Sequence, residues 1–300
     1  MNLNFKKLMT AGLVALGIGI VLFSVGFIAS DFSFDKMTGT RWENKTYTET
    51  ADVTSISVDI DSADITIKYD ANAENISIAY SECIGRSEKA VKTFNITESG
   101  GKLTLKEKTN WLYHIRLWSY GNAKVEITVP ADRVLAIELS ADTGDVEIIG
   151  NGNTAIDNLV IDTDNGGTEI QGIATAGNIT LETDNGDFEI NGNLTAQSLS
   201  IEIDNGDVDI VGTLNISGVF SIDIDNGDVD AEDAVIAAEK IYLTADNGDI
   251  EVKLFGSVTD YKISAKTDNG KTNVNDSLVG ERELYVKTDN GDVYVYFSND

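Results

Sequence analysis

The chain has one cysteine, one proline and one histidine in 300 residues, and each scarcity excludes something. Cys83 alone cannot form an intramolecular disulfide, so packing and backbone ladders must hold the fold. His114 has no Cys or His neighbour in sequence, which leaves no transition-metal cluster. No nucleophile motif, P-loop or zinc spacing occurs. Cations are also few: 22 Lys and Arg stand against 50 Asp and Glu, a formal net charge of −28. A polyanion such as nucleic acid would be repelled. Between residues 134 and 239 there is no Lys or Arg at all, against 23 Asp and Glu.

What is present begins with an uncharged apolar run over residues 8–29. As a helix it would span roughly 33 Å, close to the hydrocarbon thickness of a bilayer at about 30 Å. Lys6 and Lys7 precede it, and Asp31 and Asp35 follow. The positive-inside rule then leaves Met1 in the cytoplasm and everything after Ser30 outside. The rival is a cleaved signal peptide. The run is long for one, and a cut after Ala29 would put bulky Phe27 at the −3 position, although a cut after Gly26 is conceivable. Both readings deliver the body outside the cytoplasm. Residues 1–30 are read as cytoplasmic tip and single-pass anchor, and 31–50 as a short linker.

The dominant signal is an internal repeat. The units read SADTGDVEI, DTDNGGTEI, ETDNGDFEI, EIDNGDVDI, DIDNGDVDA, TADNGDIEV, KTDNGKTNV and KTDNGDVYV. After Thr143-Gly144, the turn pairs are Asn165-Gly166, Asn185-Gly186, Asn205-Gly206, Asn226-Gly227, Asn247-Gly248, Asn269-Gly270 and Asn290-Gly291. The glycines recur every 20 to 22 residues. Apolar and polar residues alternate on both sides of each turn, as in Leu199, Ile201, Ile203, then Val208 and Ile210. Period two means half-buried strands. Glycine accepts a positive φ, Asn tolerates it, and the preceding Asp can accept backbone amides as an Asx-turn. A second turn is expected at Gly150, Gly172, Gly192 and Gly212.

Asn-Gly between alternating strands is also a hairpin signal. A long meander of hairpins would leave one apolar face uncovered, whereas coiling hides it. The expected fold is therefore all-β: a single-stranded β-helix or solenoid with coils of about 21 residues, over residues 51–300. Residues 131–300 carry the regular repeats. Residues 51–130 keep the alternation without the period and read as an irregular start or cap, with loops near 81–93 and 107–122. Asp61 to Ile67, DSADITI, looks like a degenerate copy.

The anchor, the lead-in strands, KVEITVP at Lys124 to Pro130 and the serial T-D-N-G-D-V-x-I units resemble the bacterial putative-adhesin domain, including LiaG-like envelope proteins. The resemblance covers roughly residues 50–300. It implies a β-helical, membrane-tethered surface domain of unknown function, often associated with cell-envelope stress. It supplies no catalytic residues.

Three chemistries are weighed on the residues themselves. Stacked carboxylates suit calcium, a hard cation taking six to eight oxygens. The candidate ligands are Asp184, Asp187, Asp204, Asp207, Asp225 and Asp228. The alternative is that each Asp caps its own turn while salt screens the remainder. NWLYHIRLW departs from the repeat, and Trp111, Tyr113 and Trp118 read either as a cap on the open end or as a contact loop. A carbohydrate-active enzyme would need cation clamps or two carboxylates with separated pKa values. The regular coils offer no cation, and any two stacked Asp meet the distance, so nothing marks an enzyme. Cys83 reads as a small buried or half-buried residue. The expectation is a membrane-anchored extracytoplasmic protein, structural, adhesive or an envelope-stress accessory, meeting envelope proteins or cell-wall polymer. No cofactor is expected unless calcium binds.

Overall fold

The structure, a computed structural model, describes residues 5–32, 39, 41–85, 89–109 and 123–299, and of residues 5–11 the helical backbone alone. The apolar run forms one helix, Phe5–Ala29. Its segment Gly12–Ala29 has a mean hydropathy of 2.5, long and apolar enough to cross a membrane. The chain divides into two compact units. The first holds this helix and residues 81–93; the second holds nearly all of the repeats.

In the second unit the alternation becomes a parallel ladder. Strand Asn158–Asn165 pairs with Asn178–Asn185, and that with Ser198–Asn205, each in parallel. Leu159 lies against Ile179, Ile179 against Leu199, and Leu199 against Phe220. The strands after each corner pair the same way, Thr168 on Phe188 and Phe188 on Val208. In these layers each residue's partner lies one repeat away, and none of these corners joins two antiparallel neighbours. Inward residues are sealed from water: Leu199, Ile201, Val208, Ile210, Leu214, Phe220 and Ile222 are all at most 1% exposed. Side chains alternate along each strand, so Glu182, Glu202 and Asp223 stand outward and exposed.

The order of layers departs from the order of the chain at both ends. The strand after Asn247 in the stack is Arg282–Asn290, and Tyr261–Asn269 lies outside it. At the other end Ser55–Ile60 sits between Ala136–Thr143 and Lys102–Thr109, and Ala63–Asp70 lies between Val146–Ile156 and Ala123–Pro130. The first and last repeats of the body are therefore each tucked in by one layer. This gives a strand near each terminus a partner on both edges, which protects it from fraying. The DSADITI segment does stack as a copy of the repeat.

Other expectations change. Ser77–Ile84 runs antiparallel to Ala123–Pro130, from Ser77 against Thr128 to Tyr80 against Val125, and covers that edge. Residues 81–93 contain strand rather than a plain loop: Cys83 pairs with Lys92 in antiparallel fashion. Arg41–Thr48 forms a strand inside the stretch read as linker. At three of the four anticipated second turns, Gly150, Gly172 and Gly212, the chain bends within a continuing strand. Around Gly172 and Gly212 pairing shifts register but does not stop, because a bulge bends a strand without ending its ladder. At Gly192 the expected turn does break the strand, Phe188–Asn191 ending and Leu194–Ala196 beginning.

Candidate functional site

The corners show why these residues recur. Nδ2 of Asn185 donates to Oδ1 of Asn165 at 3.2 Å, and Asn205, Asn226, Asn247 and Asn290 each do the same to the Asn below at 2.9–3.2 Å. The same amide also reaches the backbone carbonyl of an Asp in the adjacent layer, as Asn205 does to Asp184 at 3.2 Å. An amide side chain can donate twice and still accept, which these two bonds and the next Asn in the column require. A Cβ on Gly186, Gly206 or Gly227 would collide with the carbonyl of the glycine beneath. Their φ values of 159, 154 and 149 lie in the positive region as well. Close approach between layers, more than turn conformation alone, demands glycine.

The Asp after each glycine completes the corner. Oδ1 of Asp187 accepts the amide of Asp207 at 3.0 Å, that of Asp207 the amide of Asp228 at 2.8 Å, and that of Asp228 the amide of Asp249 at 2.7 Å. The Asx-like bonding expected for the Asp before the Asn is thus made by the Asp after the Gly, and it runs to the next layer rather than within the turn. Where Gly167 and Lys271 replace that Asp, their amides still bond to Asp145 at 3.0 Å and to Asp292 at 2.7 Å. Of the six candidate calcium ligands, Asp187, Asp207 and Asp228 therefore each hold a backbone amide. Asp184, Asp204 and Asp225 are exposed in a separate row and lend their backbone carbonyls to the Asn column. Among the described residues no group of three or more His, Cys, Asp or Glu is arranged to hold a metal ion. Around Gly167 a surface concavity of about 470 Å³ is lined by Asp145, Glu147, Glu169, Asp187 and Glu189.

Like charges accumulate on the outer faces. Asp162, Glu182, Glu202 and Asp223 stand in one register column. Asp162 and Glu202 push the Glu182 carboxyl above its usual pKa. Burial, then Asp230 and Glu189, do the same for Asp209 on the other face. Asp223 finds one donor, the hydroxyl of Thr244.

Sequence reasoning missed the change of character at the ends. Continuing the same outer face past Asp223, the layers carry Tyr242 beside Tyr285, their rings tilted by 44° with centroids 6.4 Å apart, and Lys240, Lys287 and Lys266, each ion-paired at 2.5–3.9 Å. At the opposite end Lys106 pairs with Asp59 at 2.6 Å and Lys102 with Glu138 at 3.1 Å. The signal was in the sequence: the Tyr-Leu and Leu-Tyr-Val-Lys units differ from the Ser-Ile and Ile-Glu units before them. An ion pair on a buried carboxylate was also missed. Glu49 accepts Arg133 at 3.1 Å and the Ile76 amide at 3.0 Å, while its second oxygen is buried without a partner among the described residues. Cys83 is buried as expected. The proposed contact-loop residues Trp111, Tyr113 and Trp118, like His114, lie outside the described residues.

Known proteins share this architecture. A putative adhesin from Bacteroides fragilis is 14% identical, with a TM-score of 0.51 over 85% of this chain and 97% of that one. A putative adhesin from Parabacteroides distasonis is 15% identical, also with a TM-score of 0.51 and the same coverage. At such identity the likeness shows the fold alone. Among curated proteins none matches. The family model described as Toastrack DUF4097 matches residues 53–296, and with most of the chain so covered, this protein belongs to the Toastrack DUF4097 family.

Proposed function

We propose that this chain is a single-pass membrane protein whose C-terminal body stands outside the cytoplasm as a β-solenoid with coils of about 21 residues. Its role is contact rather than catalysis: a structural, adhesive or envelope-stress accessory that meets proteins or cell-wall polymer along its outer faces. The corner ladder carries this reading. It fixes the backbone so that outward side chains stand in straight rows about 4.8 Å apart, a surface suited to extended partners. The names of the solved relatives, putative adhesins, support the same direction. The apolar helix behind Lys6 and Lys7 supports the anchor.

Protease applied to intact cells tests the placement. A C-terminal epitope should be removed, while an N-terminal epitope survives and stays with the membrane after a carbonate wash. Release of the body into the medium would contradict the anchor. Chemical crosslinking to the wall should fall when Asp162, Glu182, Glu202 and Asp223 are changed together to Asn and Gln. Unchanged crosslinking would argue against contact through this face.

The second reading is calcium binding by the Asp184, Asp204, Asp225 row with its neighbours Asp187, Asp207 and Asp228. The raised pKa of Glu182 favours it, because it reports carboxylate repulsion that a cation would relieve. Calcium should then raise the melting temperature more than sodium at equal ionic strength, and equal effects would remove the idea.

A further inference from the structure

The C-terminal end of the ladder raises a physical problem. Tyr261–Asn269 is the last layer, paired on one side only, and a bare edge strand templates further pairing. Residues 271–280 lie across that end as a strap. Ser277 exchanges two backbone hydrogen bonds with Ile263, at 2.8 and 2.9 Å, and Oδ1 of Asp276 accepts the Ala265 amide at 3.0 Å. Over the neighbouring edge the Asn273 side chain imitates a strand, donating to the Val295 carbonyl at 3.0 Å and accepting its amide at 2.9 Å.

The first residues of the strap are pinned to that neighbouring edge as well: the Lys271 amide donates to Asp292 at 2.7 Å, the Val293 amide to the Lys271 carbonyl at 2.8 Å and the Asn273 amide to the Val293 carbonyl at 3.2 Å. Residues 274–279, which cover Tyr261–Asn269, have little beyond the Asp276 and Ser277 bonds. Val274 alone is buried, while Leu278 is 93% and Val279 70% exposed. A segment fixed by a few surface hydrogen bonds and one apolar contact opens at far lower cost than the ladder beneath it.

We propose that this edge is a docking site for the same edge of a second copy of the chain, closed in the structure by the strap. Ile263 and Ala265 turn their amides outward, so by alternation Thr267 does too. An antiparallel two-fold pairing centred on Ala265 then sets Ile263 opposite the second copy's Thr267, all three residues in hydrogen-bonding positions. The same register puts Lys262 of each copy opposite Asp268 of the other. The edge is therefore complementary to itself in both backbone and charge.

The test uses the full chain in detergent micelles at physiological salt. Asp276→Ala with Ser277→Pro removes the Asp276 bond and the Ser277 amide's bond, leaving one carbonyl contact to Ile263, and keeps Asn273 in place. The released variant should dimerise about tenfold or more tightly than the unaltered chain by sedimentation. Adding Lys262→Glu should abolish the gain, and adding Asp268→Lys to that should restore it. A released variant that stays monomeric overturns the proposal, as does a dimer indifferent to the charge changes, which would mean helix-driven or non-specific association. In the unaltered chain, hydrogen exchange at Ile263 and Ala265 should be faster than at Leu284 and Val286. Equal protection would show that the strap does not open, and would also overturn it.

Discussion

The middle of the repeat body and its two ends obey different rules on one scaffold. From residue 134 to 239 the layers follow chain order, carry no cation and stack carboxylate on carboxylate. At the ends the layers leave chain order, lysines pair with acids, and edges are covered by an antiparallel strand or by a side chain. The comparison separates two tasks. A middle layer has a partner above and below, so its backbone and core suffice even under charge repulsion. An end layer has one partner, and there the sequence supplies salt bridges and caps instead.

The largest break should come from a middle corner. Gly206→Ala would press a methyl group into the Gly186 carbonyl and force an unfavourable φ. A loss of about 4 kcal/mol is expected in denaturant unfolding, whereas Gly100, with open space around it and a φ of 61, should cost far less. Next comes an end. Arg133→Ala leaves the Glu49 carboxylate, whose side chain is 3% exposed, without its cation. Because Arg133 is itself partly exposed, the loss should be about 2 kcal/mol. A change within experimental noise would show that water serves Glu49 as well as arginine does.

A smaller effect has the opposite sign. The hydroxyls of Thr163 and Thr183 are buried without partners among the described residues, while Thr288, in the same register column near the C-terminal end, donates to the Gly248 carbonyl at 2.9 Å. Thr183→Val should therefore stabilise by about 1 kcal/mol, and Thr288→Val should not. The smallest effect is electrostatic. Repulsion and burial raise the pKa values of Asp142, Glu182 and Asp209. Such groups favour the fold while protonated and cease to as pH climbs through the raised value. Asp70, Glu98 and Asp268 are lowered and act oppositely, but below the usual carboxylate range. The melting temperature should rise as pH falls from neutrality toward the usual carboxylate range, then decline in stronger acid. A steady fall from neutrality would show that repulsion in the middle does not matter.

Much of the middle was legible because its signals are local and repeated. Period-two alternation names the buried positions, and the recurrence of Asn-Gly sets which residues stack. The Asp role was half legible: its bond to a backbone amide could be anticipated, but not that the partner amide belongs to the next layer, since that depends on stacking distance. The ends were not legible. Nothing local in residues 261–297 says that Arg282–Asn290 inserts inside Tyr261–Asn269, because both read KTDNG and either order buries the same residues. The ion pair of Glu49 with Arg133 spans 84 residues and has no local signature.

Stacked corners are the central claim, and a distance measures them directly. Spin labels at Asp164→Cys and Asp246→Cys, with Cys83 replaced by serine, lie four layers apart in the ladder. Pulsed electron resonance should give about 19 Å between the backbone sites, at about 4.8 Å per layer. An open sheet of hairpins would need two strands per repeat and place the same sites about 38 Å apart, and that result would contradict the account.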